Sequence, residues 1–327
     1  MLSYILRRVL NMIPTLIIIS IIGFVIIKLP AGDYLSYYIA HMEAQGFTGV
    51  EDVVQHLKQR YGLDQPAWKQ YFIWITNFVQ GDFGESFAYR KPVRELIGQR
   101  LMLTVTLSIS TLILTWAIAI PIGIYSATHQ YSLSDNIFTV IGFIGLAMPN
   151  FLLALVLLVI SAMQFGKVPS GLFSPAFEEA PWSFAKVLDM LSHMWIPVIV
   201  IGTAGTASLI RIMRGNLLDI LNQPYVQTAR TKGLKERVVI LKHAVPLALH
   251  PLIMQLGMTL PSIISGAAIT SIVLSLPTAG PLYLTALQEE DMYLAGSFLV
   301  LISLLLVIGN LLADIALALM DPRIRYE

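Results

Sequence analysis

Six long stretches without a charged residue dominate the hydrophobic pattern of the chain. They cover residues 9–27, 101–128, 136–165, 190–210, 243–288 and 292–313. A helix needs about 20 apolar residues to cross the hydrocarbon core of a bilayer, and each stretch has about that length or more. The apolar residues run continuously instead of alternating, which favours helices over transmembrane strands. The pattern therefore predicts an all-α membrane protein.

The stretch 243–288 is too long for one span. As a straight helix rising about 1.5 Å per residue, it would far exceed a hydrocarbon core of about 30 Å. It could hold two spans, or one span followed by an apolar loop that returns toward the membrane. Pro277, Gly280 and Pro281 fall where a second helix would need its interior, which favours the loop. We therefore predict six transmembrane helices.

The positions of basic residues predict the orientation, because positive charges prefer the cytoplasmic ends of spans. Six spans place both termini and the basic segment 211–242 on the cytoplasmic side. A seventh span would move the tail 321–327, with its two arginines, to the outside. The apolar run after Arg7 and Arg8 has about 20 residues, longer than the core of a signal peptide, so we expect a retained first span.

These spans divide the chain into four regions. They are an N-terminal transmembrane helix (1–29), an extracytoplasmic insertion (30–98), a transmembrane core (99–320) with a basic loop at 219–245, and a cytoplasmic tail (321–327). Inside the insertion, the pattern of residues 51–61 predicts a short amphipathic helix that ends at residues 62–66, and the cluster 81–86 predicts a turn.

Composition and missing motifs exclude several classes of function. Only 13% of the 327 residues are charged and the net charge is +1, so there is no general field to attract nucleic acid. The sequence has no cysteine, which excludes disulfides and thiolate sites. It also lacks the phosphate-binding G-x-x-x-x-G-K-[ST] loop, the H-E-x-x-H motif and the G-x-S-x-G motif. We therefore expect no catalytic residues, no metal site and no ATP hydrolysis by this chain.

The segment 225–246 is the most informative part of the sequence. Small and basic residues precede Gly233, and apolar residues at helical spacing follow it. This predicts two short helices that meet at Gly233, where a positive φ angle permits a sharp corner, and a next span that opens at Pro246. The loop either only fixes the topology or also docks a soluble partner through its small-residue face.

This segment resembles the EAA loop of permease subunits in ATP-binding-cassette (ABC) importers. The first position of that motif is usually glutamate. The threonine found here in its place resembles the sequence of the permease branch that serves dipeptides, oligopeptides and nickel. The matching residues are Thr228, Ala229 and Arg230 at the EAA position, Gly233 at the motif glycine, His243 at the motif isoleucine, and Val245 and Pro246 at the motif Leu-Pro.

Further motifs extend the resemblance over nearly the whole chain. They occur in the order found in that branch, and five weak matches in the right order make a strong one. They are residues 1–8 (MLSYILRR), 61–66 (YGLDQP), 81–86 (GDFGES), 92–97 (PVRELI) and 321–325 (DPRIR).

The resemblance implies the type I ABC importer permease fold and a set of partners. A second related permease chain would complete the pathway, and an extracytoplasmic solute-binding protein would deliver the solute. Two ABC ATPase subunits would hold ATP and Mg²⁺, in the cytoplasmic membrane of a bacterium or archaeon. The implied ATPase-coupling residues are Thr228, Ala229, Arg230, Lys232, Gly233, Leu234, Arg237 and Pro246.

The transported solute stays open at this point. The resemblance implies di- or oligopeptides, with oligosaccharides or nickel as alternatives. A different class of function, an autonomous secondary transporter or channel, is weakened because no acidic residue lies in the middle of a span. Polar residues within spans mostly pack between helices. Asn150, Gln255 and Thr259 are the candidates for lining the pathway.

Overall fold

A computed structural model describes residues 2–28, 55, 64–86, 88–166, 169–257, 268–289 and 291–320. Helices dominate these residues, together with one short β-hairpin, β1 (Glu85–Ser86) and β2 (Lys91–Pro92). The helices are α1 (Leu2–Ile27), α2 (Ala67–Val79), α3 (Val93–Thr128), α4 (Leu133–Ala147), α5 (Asn150–Phe165), α6 (Phe184–Leu221), α7 (Pro224–Thr231), α8 (Glu236–Gly257), α9 (Ala268–Val273), α10 (Ala279–Gln288) and α11 (Met292–Met320).

Five helices in the described part of the chain are long and apolar enough to cross a membrane. They are α1, α3, α6, α8 and α11. The pair α4 and α5 also qualifies if it counts as one span, although its two helices are bent by 103°. The total of five or six agrees with the all-α architecture and the six spans expected from the sequence.

The bend between α4 and α5 is a feature that the continuous apolar stretch 136–165 conceals. Met148 and Pro149 both have extended backbone angles, and α5 begins at Asn150. A proline pushes the residue before it out of the helical region, so Pro149 ends α4 at this point. Hydropathy alone predicts one helix here because both halves are equally apolar.

The helix α8 begins earlier than the expected start at Pro246. It starts at Glu236 and contains one π-helical turn, Val239–Ala244, directly before the segment that holds Pro246. Proline cannot donate a backbone hydrogen bond and crowds the carbonyl four residues back, and a π turn is a common local adjustment in such a helix. The span therefore continues out of the basic segment without a break.

The described part of the apolar loop expected after α8 contains no second span, as predicted, but it is more helical than expected. Residues 268–289 form two short helices, α9 and α10, joined by a turn that includes Pro277. Pro281 lies in the first turn of α10, where a missing N–H does no harm. The turn is fixed by two hydrogen bonds, from the Gly171 N–H to the Leu274 carbonyl (2.8 Å) and from the Ala279 N–H to the Thr104 hydroxyl (2.8 Å).

The chain forms two compact units. The first comprises residues 1–6, 103–281 and 306–327. It holds two large clusters of buried apolar residues, one between α3, α6 and α8 and one where α3, α5 and α6 meet the turn after α9. Helices α3 and α6 approach closely at Gly123, where an added Cβ would lie 2.7 Å from the Cβ of Met213. This contact needs a small residue, as is common where membrane helices pack.

The second unit comprises residues 7–102 and 282–305 and includes the β-hairpin. Gly84, at a φ of +83°, confirms the turn predicted at 81–86. The buried Asp291 accepts hydrogen bonds from the Ser86 hydroxyl (2.5 Å), the Ala88 N–H (3.2 Å) and the Leu294 N–H (3.1 Å). It thus caps α11 and fixes the hairpin with one carboxylate.

Two other expectations for the insertion have different outcomes. The amphipathic helix at 51–61 lies outside the described residues except for Gln55. Helix α3 begins at Val93, inside the range predicted for the insertion, and buries Val93 and Ile97 one turn apart; the extracytoplasmic position of residues 30–98 stays a prediction. The charged residues between them point to water and obscured the start of the helix.

An ion pair joins α4 to α6 inside the first unit. Arg214 donates from Nε to Asp135 Oδ1 and from Nη2 to Asp135 Oδ2, both at 3.0 Å. The Tyr131 N–H donates to the same carboxylate at 3.0 Å, and the Ser132 hydroxyl caps α4. Asp135 is only 2% exposed, so its charge depends on these donors.

Removal of Arg214 tests this ion pair. Arg214→Ala leaves a buried carboxylate without its partner, and we expect the free energy of unfolding to fall by about 3 kcal/mol. Arg211→Ala is the matched control, because Arg211 is an exposed arginine on the same helix. It should change stability by no more than about 0.5 kcal/mol. Denaturant titration of the purified protein measures both, and equal losses would contradict a structural role for the pair.

Candidate functional site

The basic segment folds as a helical elbow, which we define as residues 224–238. It consists of α7, a turn at Gly233 and the first residues of α8. Gly233 has a φ of +76°, and its N–H donates to the Arg230 carbonyl at 2.9 Å. The prediction of two short helices that meet at Gly233 is confirmed.

The inner face of the elbow packs on the two long helices that it connects. Val226, Ala229 and Val239 are buried together, against Ile220 and Leu221 at the end of α6. Pro224 opens α7 at its first turn, where a proline fits without loss of a hydrogen bond. The elbow is therefore fixed to both α6 and α8 through apolar contact.

Arg230 adds a polar link between the same elements. Its Nη2 donates to Glu236 Oε1 at 2.7 Å, its Nε reaches Glu236 Oε2 at 3.1 Å, and its Nη1 reaches the Leu221 carbonyl at 3.4 Å. The hydrogen bond to the Glu236 carboxylate raises the pKa of Arg230. The two side chains are 33% and 55% exposed, so the pair fixes geometry more than it stabilises the fold.

The outer face of the elbow holds four of the residues predicted to contact an ATPase. Thr228, Lys232, Leu234 and Arg237 are exposed, and the Thr228 hydroxyl donates back to the Pro224 carbonyl at 2.9 Å. Leu234 is an exposed leucine that lies between lysines in the sequence. The surface is therefore largely polar and basic, with Leu234 among several exposed apolar side chains that a partner can cover.

The other predicted coupling residues have different positions. Ala229 is buried under the elbow, Arg230 is half-buried, and Gly233 forms the turn. Pro246 is half-buried in the interior of α8 and does not belong to the elbow surface. Their roles in coupling stay predictions, and the geometry shows only which of them a partner can touch.

Two of the three candidates for the solute pathway lie among the described residues. Asn150 is half-buried at the first position of α5, directly after the bend, and Gln255 is exposed near the end of α8. Thr259 lies outside the described residues. A role of these residues in the pathway stays a prediction.

Two acidic residues that pair with arginines were not identified as such from the sequence. Glu236 and the buried Asp135 carry charge in the basic segment and near the start of α4, but only the fold shows that each binds an arginine. The opposite charges of Arg230 and Glu236 on either side of Gly233 were the available signal. Within the described ranges, no three His, Asp or Glu side chains come close enough to hold a metal ion.

Comparison with known proteins covers the whole chain. The family described as "Binding-protein-dependent transport system inner membrane component" matches residues 119–326, and the N-terminal region of such membrane components matches residues 1–108. The chain is 38% identical to the oligopeptide transport system permease protein AppB of Bacillus subtilis, over 100% of both chains.

Two further relatives have the same full coverage. The chain is 31% identical to the oligopeptide transport system permease protein OppB of Haemophilus influenzae. It is 30% identical to the glutathione transport system permease protein GsiC of Escherichia coli. The helical spans, the elbow and these full-length similarities agree, and the chain belongs to the family of inner membrane permease components of binding-protein-dependent transport systems.

Proposed function

We propose that this chain forms half of the pathway through which an ATP-driven importer takes up peptides. The observation that carries the proposal is similarity over the full length to permeases of oligopeptide and glutathione transport systems. Glutathione is itself a small peptide, so the relatives share one chemical class of solute. This favours peptides over oligosaccharides or nickel.

The helical elbow is the proposed contact with an ABC ATPase. Its exposed face offers Leu234 among basic residues, and its inner face is fixed to the ends of α6 and α8. A movement of the elbow therefore carries both helices. ATP and Mg²⁺ belong to the ATPase subunits in this proposal, and the elbow and both termini face the cytoplasm.

The remaining partners follow from the same arrangement. A second, related permease completes the pathway, and a solute-binding protein delivers the peptide from the opposite side of the membrane. When the ATPases close on ATP, they push the elbows, and the helices rotate as packed bodies between two states. The helices of this chain line the pathway and move, and ATP binding and hydrolysis by the ATPases supply the free energy.

Substitutions at Gly233 test the elbow. A Cβ at this position meets no atom within 4 Å, so only the backbone conformation resists a side chain. Gly233→Val is strained at a positive φ, whereas Gly233→Asn is a matched control because asparagine tolerates this region. We expect the Val variant to reach the membrane but to lose ATP-dependent uptake by about tenfold, since strain of about 1–2 kcal/mol distorts the turn.

The readout is peptide uptake by the reconstituted transporter, normalised to the amount of assembled complex. The Asn variant should retain most of the uptake. If Gly233→Val transports as well as the unmodified protein, the geometry of the elbow is not needed for coupling.

Cross-linking tests which partner touches the elbow. The chain contains no cysteine, so Leu234→Cys introduces a unique thiol on the exposed face. With a short bifunctional maleimide and a cysteine placed on the ATPase surface, it should form a permease–ATPase product. Tyr89→Cys, exposed on the hairpin of the other unit, is the control and should give none. Labelling of Leu234→Cys in intact cells by a membrane-impermeant reagent would place the elbow outside and refute the contact.

A competition experiment tests the solute class. Vesicles that contain the complete transporter and its binding protein should accumulate a labelled oligopeptide only with ATP, and excess unlabelled peptide should suppress the signal. Excess nickel or oligosaccharide should have no effect. Vesicles with this chain alone should accumulate nothing, and uptake by them would support an autonomous carrier instead.

A further inference from the structure

Helix α2 has two faces with large apolar side chains, and among the residues that the structure describes only one of these faces packs against the protein. Gln70 and Trp74 are buried on the inner face. On the opposite side, Trp68, Phe72 and Val79 are 65%, 59% and 80% exposed. Their spacing places them in one stripe along the helix, and Trp68 and Phe72 also touch edge-to-face. Such a stripe of large apolar side chains marks an interaction site rather than an ordinary water-exposed face.

The inner face fixes α2 to the last two turns of α1. The Tyr71 hydroxyl hydrogen-bonds the Ser20 hydroxyl at 2.7 Å, and Lys28 Nζ donates to the Gln70 side chain. The Phe24 ring packs against the rings of Tyr71 and Trp74, with centroids 5.5 and 5.9 Å apart. All of these contacts lie within the second unit.

These contacts define the depth of α2, because α1 spans the membrane. The apolar span of α1 covers Ile5–Val25. At a rise of about 1.5 Å per residue, Ser20 lies about 7 Å inside the end of this span and Lys28 lies about 4 Å beyond it. These contacts therefore place the inner face of α2 at the level where hydrocarbon meets the lipid headgroups.

The lipid-facing side of α1 has the same character as the stripe. Ile13, Ile17, Ile21 and Val25 are exposed along α1, as expected for a helix that faces acyl chains. A tryptophan and a phenylalanine on the exposed apolar face of a helix are typical of segments that anchor a protein in the interface.

We propose that the stripe Trp68–Phe72–Val79 inserts into the lipid interface and holds α2 at the membrane surface. Amphipathic helices of this kind bury their apolar face about 5–10 Å into the boundary between headgroups and acyl chains. The partner is the phospholipid surface itself. The anchor fixes α2 and the adjoining end of α1 at one depth, and it requires no particular solute.

Nitroxide depth measurements test the anchor directly. Phe72→Cys is labelled in the cysteine-free chain, and the complete transporter is placed in vesicles of phosphatidylethanolamine and phosphatidylglycerol. Relaxation by oxygen, which concentrates in lipid, is compared with relaxation by a water-soluble nickel chelate. We expect a depth of about 5–10 Å below the headgroup boundary. Val79→Cys, on the same stripe, should give the same range and guards against a local defect at one position.

Two reference positions make the result decisive. Ile17→Cys on α1 should be deeper than Phe72→Cys, and Tyr89→Cys on the hairpin should be in water. A Phe72 label as accessible to the chelate as the Tyr89 label would overturn the proposal. So would a Phe72 label shielded from both reagents, which would show that another protein chain covers the stripe. Neither outcome depends on transport, so the proposed function is tested separately.

Discussion

Hydrocarbon offers no hydrogen bonds to a polypeptide, and this constraint shapes every part of the described structure. Most of the chain is helical because a helix satisfies its own backbone. Where the helices break, other groups of the same unit supply the bonds. The Ala279 N–H finds the Thr104 hydroxyl, and the Gly171 N–H finds the Leu274 carbonyl. At Pro149 the chain leaves the helix for two extended residues and turns by 103°, whereas the π turn before Pro246 keeps α8 continuous.

The same constraint explains how the few charged residues are used. Asp135 is buried only because Arg214 binds both of its oxygens, and Asp291 is buried because it caps α11 and accepts from the hairpin. The pair of Arg230 and Glu236 is more exposed and contributes less to stability, but it holds both arms of the elbow in one geometry. In the described structure, these charged side chains serve mainly to link helices and turns to one another through ion pairs and hydrogen bonds.

The sequence predicts the elements that depend on a local rule. The corner at Gly233 and the turn around Gly84 each need a positive φ, and both are found as expected. The sequence does not predict where two apolar helices meet end to end, because hydropathy is the same on both sides of Pro149. Pro277 and Pro281 indicate that residues 268–289 do not form a second span, but they do not reveal the two short helices α9 and α10.

Partners across long sequence distances are equally hidden from the sequence. Nothing local indicates that Asp135 faces Arg214, or that Asp291 reaches Ser86. The candidate elbow was recognisable because its residues are contiguous and lie next to a diagnostic glycine. The exposed stripe of α2 was not recognisable as lipid-facing, because its depth follows only from its contacts with α1.

The central claim is that the elbow moves as one body with α6. The most direct measurement is the distance between nitroxides at Leu234→Cys and Arg211→Cys, both exposed in the first unit, in the assembled transporter with and without ATP. We expect one narrow distance distribution that is the same in both conditions, because the apolar contacts and Arg230 hold the elbow to the end of α6. A shift or a marked broadening with ATP would show that the elbow flexes by itself and does not carry the helix.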